Sequence, residues 1–401
     1  MKFSRTSIPW RLPVASVALA AGAGALAASA GAGTGSGCER LPGKAPAGLV
    51  APVVVTTDCG RFALGTSGRV RYLGRRRLPV PQDVVWYPDL SWYRLDRGRL
   101  VVGRGRRTLW RSSGRFGSRY GMGALALSPT RIAFSYARRP DDWKRPVLYL
   151  ARRGGAEWPV ARGETPLGWT AAGRLLTWGG SGTVRVRDGG GRLLRTLAHG
   201  VHTFVFDRPS KTLFFLAQGR LFRFDGRGLG TLVRLKSVGL GAPVTIEPFD
   251  GFVTVRGVHR LLVVRAGGGV VSSMRLPHLP LRTDTVSAVA VDSAGELAFT
   301  ATRGNTAYGS TGVETVYLLD PGASRARPLY RERVEFAVCE RAAALSWRGR
   351  FLLYSNSEGN AAVVATSGRR ATIDLSRTTR ELPGLENKSF QASWVGSARP
   401  T

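Results

Sequence analysis

Two stretches of the chain hold the side chains best suited to gripping a ligand. Tyr136 to Pro146 reads YARRPDDWKRP and supplies Arg138, Arg139, Asp141, Asp142, Trp143, Lys144 and Arg145. Guanidinium forks beside an indole face suit an anionic or sugar-like ligand. Thr302 to Glu314 reads TRGNTAYGSTGVE and adds Arg303, Asn305 and Tyr308. The candidate ligand-binding set is therefore Arg138, Arg139, Asp142, Trp143, Arg145, Arg303, Asn305 and Tyr308. An ordinary surface insertion would carry similar residues, since long exposed loops tolerate change without a ligand.

Catalytic chemistry is poorly provided for. Asp141 and Asp142 are adjacent, and neighbouring carboxylates rarely reach one substrate atom from opposite sides as glycoside hydrolysis requires. A carbohydrate-active reading, hydrolase or lyase, would need Asp142 to work with a distant acid such as Glu314. No Gly-x-Ser-x-Gly nucleophile elbow occurs. The four histidines, His199, His202, His259 and His278, have no metal-ligand spacing beyond the weak His199-x-x-His202 pair. A zinc site wants further ligands and a supporting shell. No catalytic residue, metal or cofactor is assigned.

The elements that must position these loops are read from periodicity. Short β-type runs, joined by turns containing Gly or Arg, recur from about Ala51 onward with alternating apolar and polar residues. Eight such hairpins start at Arg61, Arg99, Arg131, Arg174, Thr212, Phe252, Glu296 and Phe351, at spacings of 38, 32, 43, 38, 40, 44 and 55 residues. A strand-only unit of about 40 residues is what a propeller blade requires. No long run has helical spacing, and Gly or Pro interrupts throughout. The expected fold is all-β, a single β-propeller of seven to eight four-stranded blades over residues 51–401. The main rival is a two-domain β-sandwich array.

Ser389 to Gly396 reads as an innermost strand with no hairpin after it, able to complete the first blade and remove free sheet edges. The two long loops would join second to third strands in units three and seven, on opposite sides of a central channel.

Several units resemble the repeat of TolB-like propellers, usually Leu-Ser-Pro-Asp-Gly-Lys followed by an apolar run. Here it stands as Leu127-Ser128-Pro129-Thr130-Arg131-Ile132, as Val291-Asp292-Ser293-Ala294-Gly295-Glu296, and as Leu345-Ser346-Trp347-Arg348-Gly349-Arg350. Weaker copies begin at Phe206 and Trp169. The resemblance implies the propeller architecture and a tight turn between a blade's first two strands. It implies no particular activity, because propellers host enzymes and interaction scaffolds alike. The repeat's Asp is mostly absent here.

Charge narrows the partner. Lys+Arg is 59 against Asp+Glu 26, a formal net charge of +33, and only six of the basic residues are lysine. Clustered cations attract polyanions, although an arginine-rich composition is also what a GC-rich genome writes onto solvated strand faces. Arg61 to Arg119 holds 15 arginines interleaved with Tyr72, Trp86, Trp92 and Trp110, a pattern that would suggest nucleic acid inside a cell. Alternation as in Arg69-Val70-Arg71-Tyr72 puts these arginines on the solvent face of outer strands.

Residues 1–30 read as a signal peptide: Lys2, Arg5 and Arg11 precede an apolar run from Val14 to Ala28, then the small-x-small site Ala28-Ser29-Ala30. Residues 31–50 read as a flexible leader. Export makes nucleic acid an unexpected partner and permits disulfides. Cys38, Cys59 and Cys339 are an odd set, one disulfide plus one thiol that is free or modified, and the pairing is not readable. Were Cys38 lipidated, Cys59 and Cys339 would remain as the candidate pair. The reading is a monomeric, non-enzymatic extracytoplasmic or secreted propeller. It would bind a protein or anionic envelope polymer through its loop face, with peripheral contact to a membrane surface.

Overall fold

Runs of alternating apolar residues, punctuated by turn residues every five to nine positions, form eight four-stranded antiparallel sheets in the computed structural model. The structure describes residues 44–394 apart from 58, 75–83, 87–90, 105–106, 118–120, 139–144, 236–239, 241–243, 277–283, 305–310, 336–342, 357, 367–371 and 383–390. The expected signal peptide lies outside the described residues.

Seven sheets are simple meanders in which sequence neighbours pair: Val84–Arg111, Met122–Arg162, Glu164–Ala198, Thr203–Arg234, Thr245–Arg275, Asp284–Glu335 and Ala343–Asp374, the second to eighth sheets. The first sheet is different. Its strands Val53–Thr57, Gly60–Leu64 and Val70–Gly74 are joined by Gln391–Trp394, which pairs with Val53–Thr57 in the register Val53 to Trp394 and Thr56 to Gln391. The C-terminal run thus supplies the missing first strand, as its lone position predicts.

Six of the eight sequence hairpins fall on the second and third strands of a sheet. Those at Arg61 and Arg99 fall on the third and fourth. That change of phase explains the short spacing of 32 between Arg99 and Arg131. The long spacing before Phe351 reflects the eight- and nine-residue strands of the seventh sheet, where the others have about five or six.

The TolB-like turns all join a first strand to a second. Their side chains close the turn: Ser128 Oγ accepts from Arg131 N at 2.8 Å, Thr170 Oγ1 from Arg174 N at 3.2 Å, and Asp292 Oδ1 from Glu296 N at 2.8 Å. The oxygen satisfies a backbone donor that the reversal would otherwise strand.

The chain forms two compact units. One comprises Val84–Gln218 and Phe224–Leu229; the other comprises Ala30–Asp83, Gly219–Arg223 and Gly230–Thr401. In the first, Leu100, Trp110, Phe116, Ile132, Phe134 and Tyr149 form one core cluster, with Phe134 stacked on Tyr149 at 5.2 Å. Leu148, Leu150, Trp169 and Leu175 belong to another. In the second, Val53, Phe62, Leu64, Leu353, Val363 and Trp394 pack together, and Leu297, Phe299, Leu261 and Val263 form a separate cluster. The described part of the expected leader, residues 44–50, is not loose. Ala45 N donates to Gly68 O at 2.9 Å and Gly48 N to Thr66 O at 3.1 Å, while Ala45 and Leu49 are buried in the first of these two clusters. The two apolar residues carry it onto the sheet, so the folded body begins before Ala51.

Neighbouring sheets within each unit are locked by a device that the sequence does not advertise. A side chain on an outer strand donates to the carbonyl of the next sheet's turn between third and fourth strands. Trp110 Nε1 reaches Gly155 O at 2.8 Å and Trp158 Nε1 reaches Gly190 O at 3.4 Å. Ser272 Oγ reaches Asp320 O at 3.4 Å, and Arg327 Nη2 reaches Thr366 O at 2.6 Å. Among the inner strands, Trp169 Nε1 bonds Ala126 O at 3.2 Å and Trp394 Nε1 bonds Ser346 O at 3.0 Å.

Candidate functional site

The fourth strand of a sheet has one paired edge, so half of its side chains stand in solvent. In each of the first seven sheets that strand presents an exposed arginine: Arg71, Arg107, Arg162, Arg195, Arg234, Arg275 and Arg331. None of these seven makes an ion pair among the described residues. The two described carboxylates on the same strands are committed elsewhere. Glu157 Oε1 accepts from Gly114 N at 2.6 Å, and its Oε2 accepts from Ser113 N at 2.9 Å and Ser113 Oγ at 3.0 Å. Partial burial opposes ionisation of Glu157, but these hydrogen bonds outweigh it and hold its carboxyl below the usual range. Glu332 accepts from the Tyr330 hydroxyl and lies 3.6 Å from Arg380. Other arginines of these strands do pair, Arg111 with Asp96 at 2.5 Å and Arg327 with Asp320 at 4.0 Å. Each of the seven outer strands thus offers at least one exposed cation that makes no ion pair among the described residues, on the solvent face that the alternation at Arg69 to Tyr72 predicts.

The loop set is only partly visible. Arg138 and Arg145 flank the first loop and are exposed. Arg303 is exposed at the end of Leu297–Gly304, where the second loop begins. Arg139, Asp142, Trp143, Asn305 and Tyr308 lie outside the described residues. Both loops do connect second to third strands, between Arg131–Tyr136 and Val147–Arg152 and between Leu297–Gly304 and Thr311–Leu319.

Glu314 is not a surface acid. It sits in the third strand of the seventh sheet, 1% exposed, and its Oε2 accepts the Tyr354 hydroxyl at 2.5 Å. Asn356 Nδ2 donates to the same phenol oxygen at 2.9 Å. Burial first, then the charge of Glu314, push the Tyr354 phenol well above its ordinary range. Glu314 therefore acts as an internal acceptor fastening the eighth sheet to the seventh. Burial, reinforced by Glu332, pushes Tyr330 upward in the same way.

A second buried charge was invisible to sequence reasoning. Glu164 is gripped by Arg187, Nε to Oε2 at 2.9 Å and Nη2 to Oε1 at 2.6 Å, with Thr177 Oγ1 at 2.7 Å. The partners lie 23 residues apart on the first and third strands of the fourth sheet. Cys59 is disulfide-bonded and 8% exposed. Cys38 and Cys339, the other two cysteines, lie outside the described residues. Among the described residues no group of three or more His, Cys, Asp or Glu side chains could hold a metal ion, and no helix is long and apolar enough to cross a membrane.

No family model matches the chain, and no curated protein matches its sequence. Solved structures with similar backbones include BamB from Moraxella catarrhalis, 12% identical over 73% of this chain and 87% of that one, with a TM-score of 0.40. The WD40 domain of SCAP from fission yeast is 12% identical over 73% of this chain and 87% of that domain, with a TM-score of 0.39. PorZ, a surface component of the type-IX secretion system of Porphyromonas gingivalis, is 12% identical over 80% of this chain and 45% of that one, with a TM-score of 0.32.

Proposed function

We propose that the chain is a non-enzymatic β-propeller scaffold of the cell envelope, akin to TolB-like propellers, that holds an anionic polymer through its arginine rows. The observation that carries this reading is the repetition, on the outer strand of seven successive sheets, of an exposed arginine that makes no ion pair among the described residues. Guanidinium groups repeated on the exposed strands raise the local concentration of a polyanion and can fork onto its carboxylates or phosphates. Export, the signal peptide and a monomeric state belong to the same reading. Arg138, Arg145 and Arg303 extend the basic surface to the loop ends.

The test is co-sedimentation of the purified chain with native envelope fragments over a salt series. Retention should fall steeply between about 50 and 300 mM salt, as expected for exposed charges. It should also drop in a variant carrying Arg71→Gln, Arg107→Gln, Arg195→Gln and Arg331→Gln. Undiminished retention in that variant would remove the outer rows from the binding surface and return attention to the loops.

A further inference from the structure

The third sheet carries an arrangement that the outer rows do not explain. Arg131 opens its second strand and Arg152 closes its third, and the two are direct cross-strand partners. Like charges placed opposite one another across a ladder are destabilising. Arg153 follows at once, bringing a third guanidinium to the same place. None of the three makes an ion pair among the described residues.

These residues border an open depression. Pro129, Thr130, Arg131, Arg152 and Arg153 line a depression of ≈ 380 Å³ at one end of the sheet. Its two sides are tied together: Arg153 N donates to Thr130 O at 3.1 Å, and Arg153 Nη2 to Ser128 O at 3.1 Å. Arg131 is seated from a third side. Its guanidinium lies against Gly189 of the fourth sheet, so close that a Cβ there would stand 2.6 Å from Arg131 Cζ. The turn is also where this chain departs from the TolB-like repeat, with Thr130 in place of the repeat's Asp, so the turn itself brings no carboxylate to the cluster. Asp188, beside Gly189, is bonded to Gly190 N, Arg192 N and the Arg192 guanidinium.

We infer that this depression is an oxyanion site, built to take a phosphate-type group between Arg131, Arg152 and Arg153, with Thr130 in the same wall. A tetrahedral anion relieves the repulsion of the paired arginines and accepts from several guanidinium donors at once. The inference does not depend on the outer strands, because three arginines lining one depression differ from a diffuse basic face.

The experiment is calorimetric titration of the full chain with inorganic phosphate at constant ionic strength, chloride replacing phosphate in the control. Saturable binding is expected in the native chain. It should weaken at least tenfold in Arg152→Gln and in Gly189→Ala, which removes no charge but drives the Arg131 guanidinium from its seat. The chain carrying Arg71→Gln, Arg107→Gln, Arg195→Gln and Arg331→Gln should bind phosphate as the native chain does, even where it loses envelope fragments. Absence of saturable binding, or equal binding in Arg152→Gln and the native chain, overturns the site. Vesicles of phosphatidylglycerol then distinguish the sources. Retention competed by phosphate and lost in Arg152→Gln supports the site as one for a lipid headgroup. Phosphate binding without vesicle retention supports it as one for a soluble or polymer-borne phosphate.

Discussion

Arg187 grips Glu164 with two parallel hydrogen bonds, at 2.9 and 2.6 Å, in a setting where the carboxylate side chain is 5% and the guanidinium side chain 10% exposed. Burial opposes the charge on Glu164, but Arg187, Thr177 and Arg185 overcome it and hold the carboxyl below its ordinary range. Removing one partner strands the other, so Arg187→Met should cost about 3–5 kcal/mol, while the double change Glu164→Leu with Arg187→Met should recover much of that loss. Urea unfolding of the two variants at neutral pH makes the comparison.

The same pair gives an acid limb. Because the folded-state pKa of Glu164 is depressed, its contribution is complete above the unfolded value of about 4.3 and is lost as pH falls through the folded value. Unfolding free energy measured from pH 6 downward should therefore decline less steeply in the Glu164→Leu, Arg187→Met chain than in the native one.

An alkaline limb follows from Tyr354. Its raised folded-state pKa means that its contribution is full below about pH 10 and declines as the unfolded chain alone loses the phenol proton. Tyr354→Phe should lower stability at pH 7 by about 1–3 kcal/mol, since Glu314 and Asn356 lose a buried partner. It should also flatten the fall in stability between pH 9 and 11, which circular dichroism melts would register.

Gly168 marks a close approach rather than a turn. A Cβ at this position would stand 2.0 Å from Phe206 Cε1. Gly168→Ala should cost about 1–3 kcal/mol as the ring is displaced, with a matching fall in melting temperature and no change in phosphate binding.

Trp394 tests the mixed first sheet. It is 2% exposed, packs in the cluster of Val53, Phe62 and Leu353, and bonds Ser346 O at 3.0 Å. Trp394→Phe should cost roughly the hydrogen bond, about 1 kcal/mol, with part of the ring volume besides; Trp394→Ala should cost about 3–5 kcal/mol. Denaturant midpoints of the two chains separate the polar from the packing part.

What could be read in advance was what repeats locally. Hairpins, their turns and the solitary strand at Gln391–Trp394 announce themselves through period-two alternation and Gly, Ser, Pro or Asp at the reversals. The partners across sheets do not. Trp110 and Trp158 donate to backbone carbonyls of Gly155 and Gly190, acceptors that every residue owns and that leave no mark on composition. Glu164 and Arg187 sit in segments that read as ordinary alternating strands, and only register brings them face to face. Glu314 reads as a loop acid because it ends a Gly-rich stretch, yet the third strand begins at Thr311 and draws it inside. Arg131 and Arg152 are visible in the sequence as charges but not as opposed ones, since their meeting depends on the pairing that aligns Val147 with Tyr136.

The shortest step in the pairing of Val53–Thr57 with Gln391–Trp394, from Thr56 to Gln391, spans 335 positions. Pairings so remote in sequence must wait for the chain between them and carry the largest loop-closure cost. During synthesis the first sheet emerges first and is completed last. Until Gln391–Trp394 arrives, the strand Val53–Thr57 shows a bare row of amides and carbonyls flanked by Val53, Val54 and Val55, the kind of edge that recruits foreign strands. A nascent chain stalled before Gln391 would thus hold an adhesive edge in its first sheet, a feature by which a chaperone or protease could tell it from a finished molecule.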